Sequence, residues 1–262
     1  MPKMTLTQIK AAKGQKKLVM ITAYDALFAR LLSESADILL VGDSLASSFG
    51  GHADTLAVGM EEMLYHTKAV CRGAPESFVV MDMPFGSYPD CATALQNAVR
   101  VYRESGASAI KIEGGHDKAD LVRHLSANAI AVMGHIGLMP QFVRAEGGFK
   151  IKGKEAADID RLIADAQAIE AAGAFAIVIE GVKAPAARAI TQAVSIPTIG
   201  IGAGADTDGQ VLVWSDLLGF FEGFKPKFVR RYLEGAQLVR EKAATFAQDV
   251  QEGSFPDTQE QY

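Results

Sequence analysis

Short runs of aliphatic and β-branched residues alternate along the chain with longer stretches whose apolar residues recur every three or four positions. The runs end near Tyr24, Asp43, Met83, Gly114, Glu180, Gly202 and Trp214, and one more is centred on His135. Eight such runs, separated by amphipathic segments, predict repeated β-α units and a parallel sheet. Their nearly continuous apolar character fits strands covered on both faces. Between them, Leu27, Phe28, Leu31 and Leu32 form one helical stripe, and Leu95, Val99 and Tyr102 another. Ile159, Leu162, Ile163, Ala166 and Ile169 form a third at i, i+3, i+4 spacing. A last amphipathic helix is predicted from about Pro226, with Phe228, Val229, Tyr232 and Val239 on one face and a polar tail after it.

Two places break the alternation. Residues Met139 to Glu155 form a Gly- and Lys-rich insertion after the fifth run, and its stretch Gly147 to Gly153 is a candidate rim lid. The link "AGADTDGQ" between runs seven and eight is too short for a crossover helix, since parallel neighbours usually need a dozen residues or more. Either the seventh helix is absent or the eighth run is not a strand. The predicted fold is an α/β (β/α)8 barrel of the TIM type, with a doubly wound open sheet as the alternative. No Pro- or Ser-rich linker interrupts residues 1–262, so one catalytic domain is expected, with a short N-terminal helix.

Composition narrows the function classes. The chain has 262 residues, 49% of them hydrophobic, and a formal net charge of -5, which argues against a nucleic-acid binder. No apolar run is long enough to span a bilayer, and the N-terminus lacks a signal-peptide core. Cys71 and Cys91 fit a reducing, cytoplasmic setting without disulfides, and both read as buried thiols.

The polar residues at the run ends carry the chemistry. Asp43, Asp82, Glu113, His135 and Glu180 each fall at the C-terminal end of a different predicted strand, the rim where β-α barrels build active sites. Four converging acids repel one another unless a cation or a proton intervenes. Carboxylates without a Cys/His cluster favour a hard dication such as Mg2+. Lys111 lies two residues before Glu113, so both project to one face of the strand. A buried lysine needs an anion: a substrate carboxylate, or a neighbouring acid in a purely structural pair. Ser44 could donate to an oxyanion or merely turn the chain. His135 could be a ligand, a proton shuttle or a pocket wall. The glycines of "GIGAG" from Gly200 could cradle phosphate or only tighten a turn.

The strings "ITAYDALFA", "LLVGDSLA", "GGHADTLAV", "YHTKAV", "MDMPFGSY", "IKIEGG", "GHIGLMPQ", "GGFKIKGK", "IEAAGAFAIVIEGV" and "IPTIGIGAGADTDGQVLV" occur in this order from about Ile21 onward. Together they resemble the ketopantoate hydroxymethyltransferase family. The resemblance implies a (β/α)8 barrel of the phosphoenolpyruvate/pyruvate group and a Mg2+ site. It implies transfer of a one-carbon unit from 5,10-methylenetetrahydrofolate to 3-methyl-2-oxobutanoate, giving 2-dehydropantoate in pantothenate biosynthesis. Asp43 and Asp82 then resemble metal ligands, with Glu113 completing the site directly or through water. Ser44 and Lys111, with Asp43 and Asp82 beside them, resemble substrate contacts, and Glu180 resembles the general base. The resemblance also implies a large homo-oligomer, typically a decamer, with no nucleic-acid or membrane partner. A lyase or mutase of the same barrel group and a non-catalytic scaffold are the rival readings. The first lacks its cysteine-containing "KKCGH"-type loop here, and the second has no use for clustered acids.

Overall fold

The computed structural model describes residues 4–223 and 225–262. Its strands are β1 (Leu18–Thr22), β2 (Ile38–Val41), β3 (Phe78–Asp82), β4 (Ala109–Glu113), β5 (Val132–Gly137), β6 (Ala176–Glu180), β7 (Thr198–Ile201) and β8 (Gly209–Leu212). All neighbours are parallel and β8 pairs with β1, so the sheet closes into a barrel in sequence order. Closure decides against the open sheet.

Helix α1 (Leu6–Ala11) precedes the barrel, and α2 (Ala26–Leu32) follows β1. A single turn, α3 (Leu45–Ser48), and then α4 (Met60–Gly73) link β2 to β3, and α5 (Cys91–Ser105) links β3 to β4. Helix α6 (Ala119–Ala127) leads to β5, the short α7 (Val143–Glu146) and long α8 (Ala156–Ala171) lead to β6, and α9 (Ala184–Ala193) leads to β7. No helix lies between β7 and β8. The seven residues 202–208 suffice because these strands are only four residues long. An extended seven-residue link reaches roughly 23 Å, more than the ~13 Å length of such a strand.

The barrel interior is filled by Leu18, Met20, Ile38, Leu40, Phe78, Val80, Ala109, Met133, Val178, Ile199 and Val211. Ile9 and Ala12 join this core from the N-terminal segment. That segment is fixed by a capping box, in which Gln8 N donates to Thr5 Oγ1 and Thr5 N to Gln8 Oε1. Its burial of Ile9 ties the start of the chain to the strands.

Three expectations shift. On α5 the buried row is Ala94, Ala98 and Val101, one step round from the predicted stripe, so the small residues face the barrel and Leu95, Val99 and Tyr102 flank them half-buried. Leu27 and Leu31 of α2 are exposed, and only Leu32 of that stripe is buried. Cys71 and Cys91 are half-buried rather than buried, and neither forms a disulfide.

The chain divides into two compact units, with the boundary between Val213 and Trp214. No linker composition marks this boundary in the sequence. The second unit holds a turn, α10 (Trp214–Leu217), and the terminal helix α11 (Gly235–Glu252). Helix α11 starts nine residues after Pro226, because the intervening backbone bonds elsewhere: Tyr232 N donates to Leu217 O and Gly235 N to Leu218 O. Among the described residues no helix is long and apolar enough to cross a membrane.

Candidate active site

The two-residue period of the strands builds the site. Along β3, Phe78 and Val80 belong to the barrel interior, and Asp82 continues that row at the rim. The β4 row runs Ala109, Lys111, Glu113; the β5 row runs Met133, His135; the β6 row runs Ala176, Val178, Glu180. Each row is apolar below and ionisable at its C-terminal end. Register then sets neighbours side by side, pairing Asp82 with Lys111, Glu113 with His135 and Gly137 with Glu180. Asp43 sits two residues beyond β2, at the same rim.

These groups form one connected cluster around a cavity of about 90 Å³. Asp43, Asp82, Lys111, Glu113 and His135 are each at most 3% exposed. Asp43 N donates to Asp82 Oδ2 at 3.2 Å, so the two aspartates adjoin. Lys111 Nζ lies 2.6 Å from Asp82 Oδ1 and 2.9 Å from His135 Nδ1. His135 Nδ1 is also 3.4 Å from Glu113 Oε1, and its Nε2 is 3.3 Å from Glu180 Oε2. Strand β6 stands four places from β2 in the closed order, so Glu180 faces the aspartates from across the mouth. All the predicted site residues therefore converge, Ser44 included, whose Oγ lies 2.9 Å from the Tyr24 hydroxyl.

Lys111 does have an internal anion in Asp82, so its burial is explained without a substrate. The charge is still uneven. Burial raises the Asp43 carboxyl well above the usual range, and the neighbouring charges of Asp82 and Glu113 push the same way, against Lys111 and a hydrogen bond from Gln141. Burial also raises Asp82, despite Lys111. Glu113 goes the other way: burial pushes it up, but His135, Lys111 and the Gln141 N–H outweigh this and hold it down. For Lys111, burial is outweighed by Asp82, Glu113 and Asp43, which keep the ammonium charged. For His135, burial and Lys111 lower the basicity, yet hydrogen bonds to Glu113 and Glu180 hold the imidazole up at about 9.

Sequence reasoning missed Gln141 and Tyr88. Gln141 is buried in the turn Pro140–Phe142 after β5, and Tyr88 lies in the loop before α5. Neither belongs to a periodic element, so no hydrophobic pattern singles them out. The glycines of "GIGAG" serve close packing: a Cβ on Gly204, which has φ +83, would lie 2.6 Å from Ala184 Cβ. The candidate lid is anchored near its end, where Lys152 bridges to Val182 and pairs with Glu146 at 2.6 Å. Among the described residues, no three His, Cys, Asp or Glu side chains are grouped to hold a metal by themselves.

Solved structures share this barrel. A phosphonopyruvate hydrolase in complex with oxalate and Mg++ superposes with a TM-score of 0.62 at 15% identity, over 98% of this chain and 93% of the other. A 2,3-dimethylmalate lyase of the PEP mutase/isocitrate lyase superfamily gives 0.60 at 17% identity, over 98% and 91%. At such identities the likeness is one of fold alone. Sequence relatives are far nearer. The 3-methyl-2-oxobutanoate hydroxymethyltransferase of Wolinella succinogenes is 63% identical over the whole of both chains. That of Aliarcobacter butzleri is 62% identical over 99% of this chain and 97% of its own, and that of Helicobacter pylori (strain HPAG1) is 56% identical over 99% and 96%. A profile described as ketopantoate hydroxymethyltransferase matches residues 3–258, and the chain belongs to that family of enzymes.

Proposed function

We propose that the chain transfers a one-carbon unit from 5,10-methylenetetrahydrofolate to 3-methyl-2-oxobutanoate, giving 2-dehydropantoate for pantothenate biosynthesis. The observation that carries the reading is the rim itself: adjoining buried aspartates on one side and a partly buried glutamate, 22% exposed, across the cavity. The aspartates fit a dication. Each is pushed towards its protonated form by burial, and Asp43 also by its neighbours' charges, so a cation would relieve both. Mg2+ usually takes one or two carboxylates and completes its shell with water and substrate, so two protein ligands are enough. Asp43 and Asp82 would hold it, while Glu113 is engaged by Gln141 N at 3.0 Å and by His135, and would support the site from behind or through water. When bound, Mg2+ supplies Lewis-acid polarisation of the substrate's 2-oxo group.

The chain's own residues do the rest. Lys111 and Ser44 hold the substrate carboxylate, and the lysine charge favours the enolate over the neutral ketone. Glu180 takes the proton from C3, leaving the C–H electron pair in the enolate. His135 Nε2, beside Glu180, steadies that carboxylate and can pass its proton on. C3 then bonds to the one-carbon unit, its two carbon–nitrogen bonds to N5 and N10 of the folate break, and water provides the hydroxyl oxygen. The two folate nitrogens take up the proton held by Glu180 and the one released by the water. The enzyme works in the cytoplasm as a homo-oligomer, decameric as in its family. Leu27 and Leu31 of α2 and Tyr65 of the adjacent α4, at 63%, 63% and 69% exposure, offer apolar area for subunit contact.

Incubation with 3-methyl-2-oxobutanoate and Mg2+ in deuterium oxide, followed by NMR, tests the first half-reaction. The C3 proton signal disappears with the wild type, and Glu180→Gln retains substrate binding but slows exchange by about 10²–10⁴-fold. Exchange at the wild-type rate in Glu180→Gln would remove Glu180 as the base. Adding the folate donor yields product only if the transfer assignment holds.

A further inference from the structure

Gln141 touches four groups at once. Its backbone N–H donates to Glu113 Oε2 at 3.0 Å. Its side-chain nitrogen donates to Asp43 Oδ2 and to the Met83 carbonyl, both at 2.9 Å. Its side-chain oxygen accepts from the Tyr88 hydroxyl at 2.5 Å. The Met83 carbonyl can only accept, so the NH2 group must face it and, with it, Asp43 Oδ2. Tyr88 fixes the other end, because burial and the charge of Glu113 keep its phenol protonated and therefore a donor. A flipped amide would set oxygen against both acceptors and NH2 against the hydroxyl proton. One orientation satisfies every partner.

We propose that Gln141 is a positioning residue for the reaction: locked by Tyr88, it takes one oxygen of Asp43 and leaves the other, Oδ1, for the dication and substrate. Oδ1 accepts no hydrogen bond among the described residues, unlike Oδ2. A neutral amide suits the task. It orients the carboxylate without cancelling the charge, as a lysine would, and without repelling it, as a glutamate would. The residue also couples elements. Its backbone holds the β4 acid and its side chain the β2 acid, so the loop after β5 cannot shift without turning both.

This inference rests on Asp43 and Asp82 as the cation site, and the test separates the two ideas. Mg2+ binding to the full-length protein is measured by titration calorimetry for wild type, Gln141→Met, Tyr88→Phe and Asp82→Ala, alongside kcat and KM. Gln141→Met, close in size but unable to donate, weakens Mg2+ binding by about tenfold and lowers kcat. Tyr88→Phe, which frees the amide to flip, moves both in the same direction by less. A purely structural role would lower the melting temperature and leave the affinity and kcat of the folded variants at wild-type values, overturning the proposal. If Gln141→Met does not fold, Tyr88→Phe carries the same two outcomes. Loss of binding in Asp82→Ala with wild-type affinity in the other two variants rejects Gln141 alone. Unchanged affinity in Asp82→Ala rejects the cation site and this role with it.

Discussion

At the N-terminal end of the barrel, Asp208 and Lys13 make a largely buried pair at 2.9 Å; at the C-terminal end, Asp82 and Lys111 make another at 2.6 Å. The surroundings differ. Asp208 also accepts from Thr198 N, Thr198 Oγ1 and Gly14 N, so both of its oxygens are satisfied. Burial pushes its carboxyl up, but these bonds and Lys13 outweigh it and hold the group below the usual range. At the rim, two aspartates and Glu113 crowd one lysine, and burial leaves both aspartates raised. A buried acid with every lone pair engaged is part of the scaffold. A buried acid left short of positive charge is waiting for a ligand.

Substitutions at the two ends should separate these roles. The largest effect is expected for Asp208→Ala, which strands Lys13 and two Thr198 donors and lowers stability by roughly 3–5 kcal/mol, read by urea unfolding. Added Mg2+ gives no recovery. The sign with pH follows from the depressed native value: Asp208 contributes fully above the unfolded pKa of about 3.9, and its contribution fades as pH falls through the native one. Lys111→Met costs less, about 1–3 kcal/mol, because Asp82 can take up a proton. Millimolar Mg2+ should recover part of that loss in a thermal scan while the substrate KM stays high; no recovery would mean that the rim is an ordinary structural pair.

The smallest effect has the opposite sign. Asp43→Asn in chelator-treated protein should be more stable than wild type by about 0.5–2 kcal/mol, since it removes a repelled buried charge. The raised carboxyl keeps its proton in the native state after the unfolded chain has lost it. Metal-free wild type therefore loses stability as pH rises from about 4 towards the native pKa. A flat difference between wild type and Asp43→Asn across that window would erase the contrast between the two ends.

Much of this was legible in the residue pattern. The eight strands followed from apolar runs, and Lys111 and Glu113 shared a face because a strand alternates. Convergence of Asp43, Asp82, Glu113, His135 and Glu180 followed from a parallel barrel having one C-terminal rim. Periodicity could not supply what loops and partners decide. Gln141 lies in a turn, where a polar residue is normally solvated, and only the folded chain brings it to acids distant in sequence. Leu27 and Leu31 matched a helical stripe because spacing reports a shared face and not what covers it. The late start of α11 had the same origin: apolar spacing continued through Phe228 and Tyr232, while the backbone there bonded to α10.

The last strand is joined more fully to the beginning of the chain than to its own predecessor. β8 pairs with β1 at four positions, from Leu18 with Gly209 to Ile21 with Leu212, and with β7 at only two. A nascent chain therefore cannot close the ring while it still lacks Leu212. Until the ribosome has delivered that residue, β1 keeps an open edge, and assembly ends with a contact spanning nearly the whole length already made.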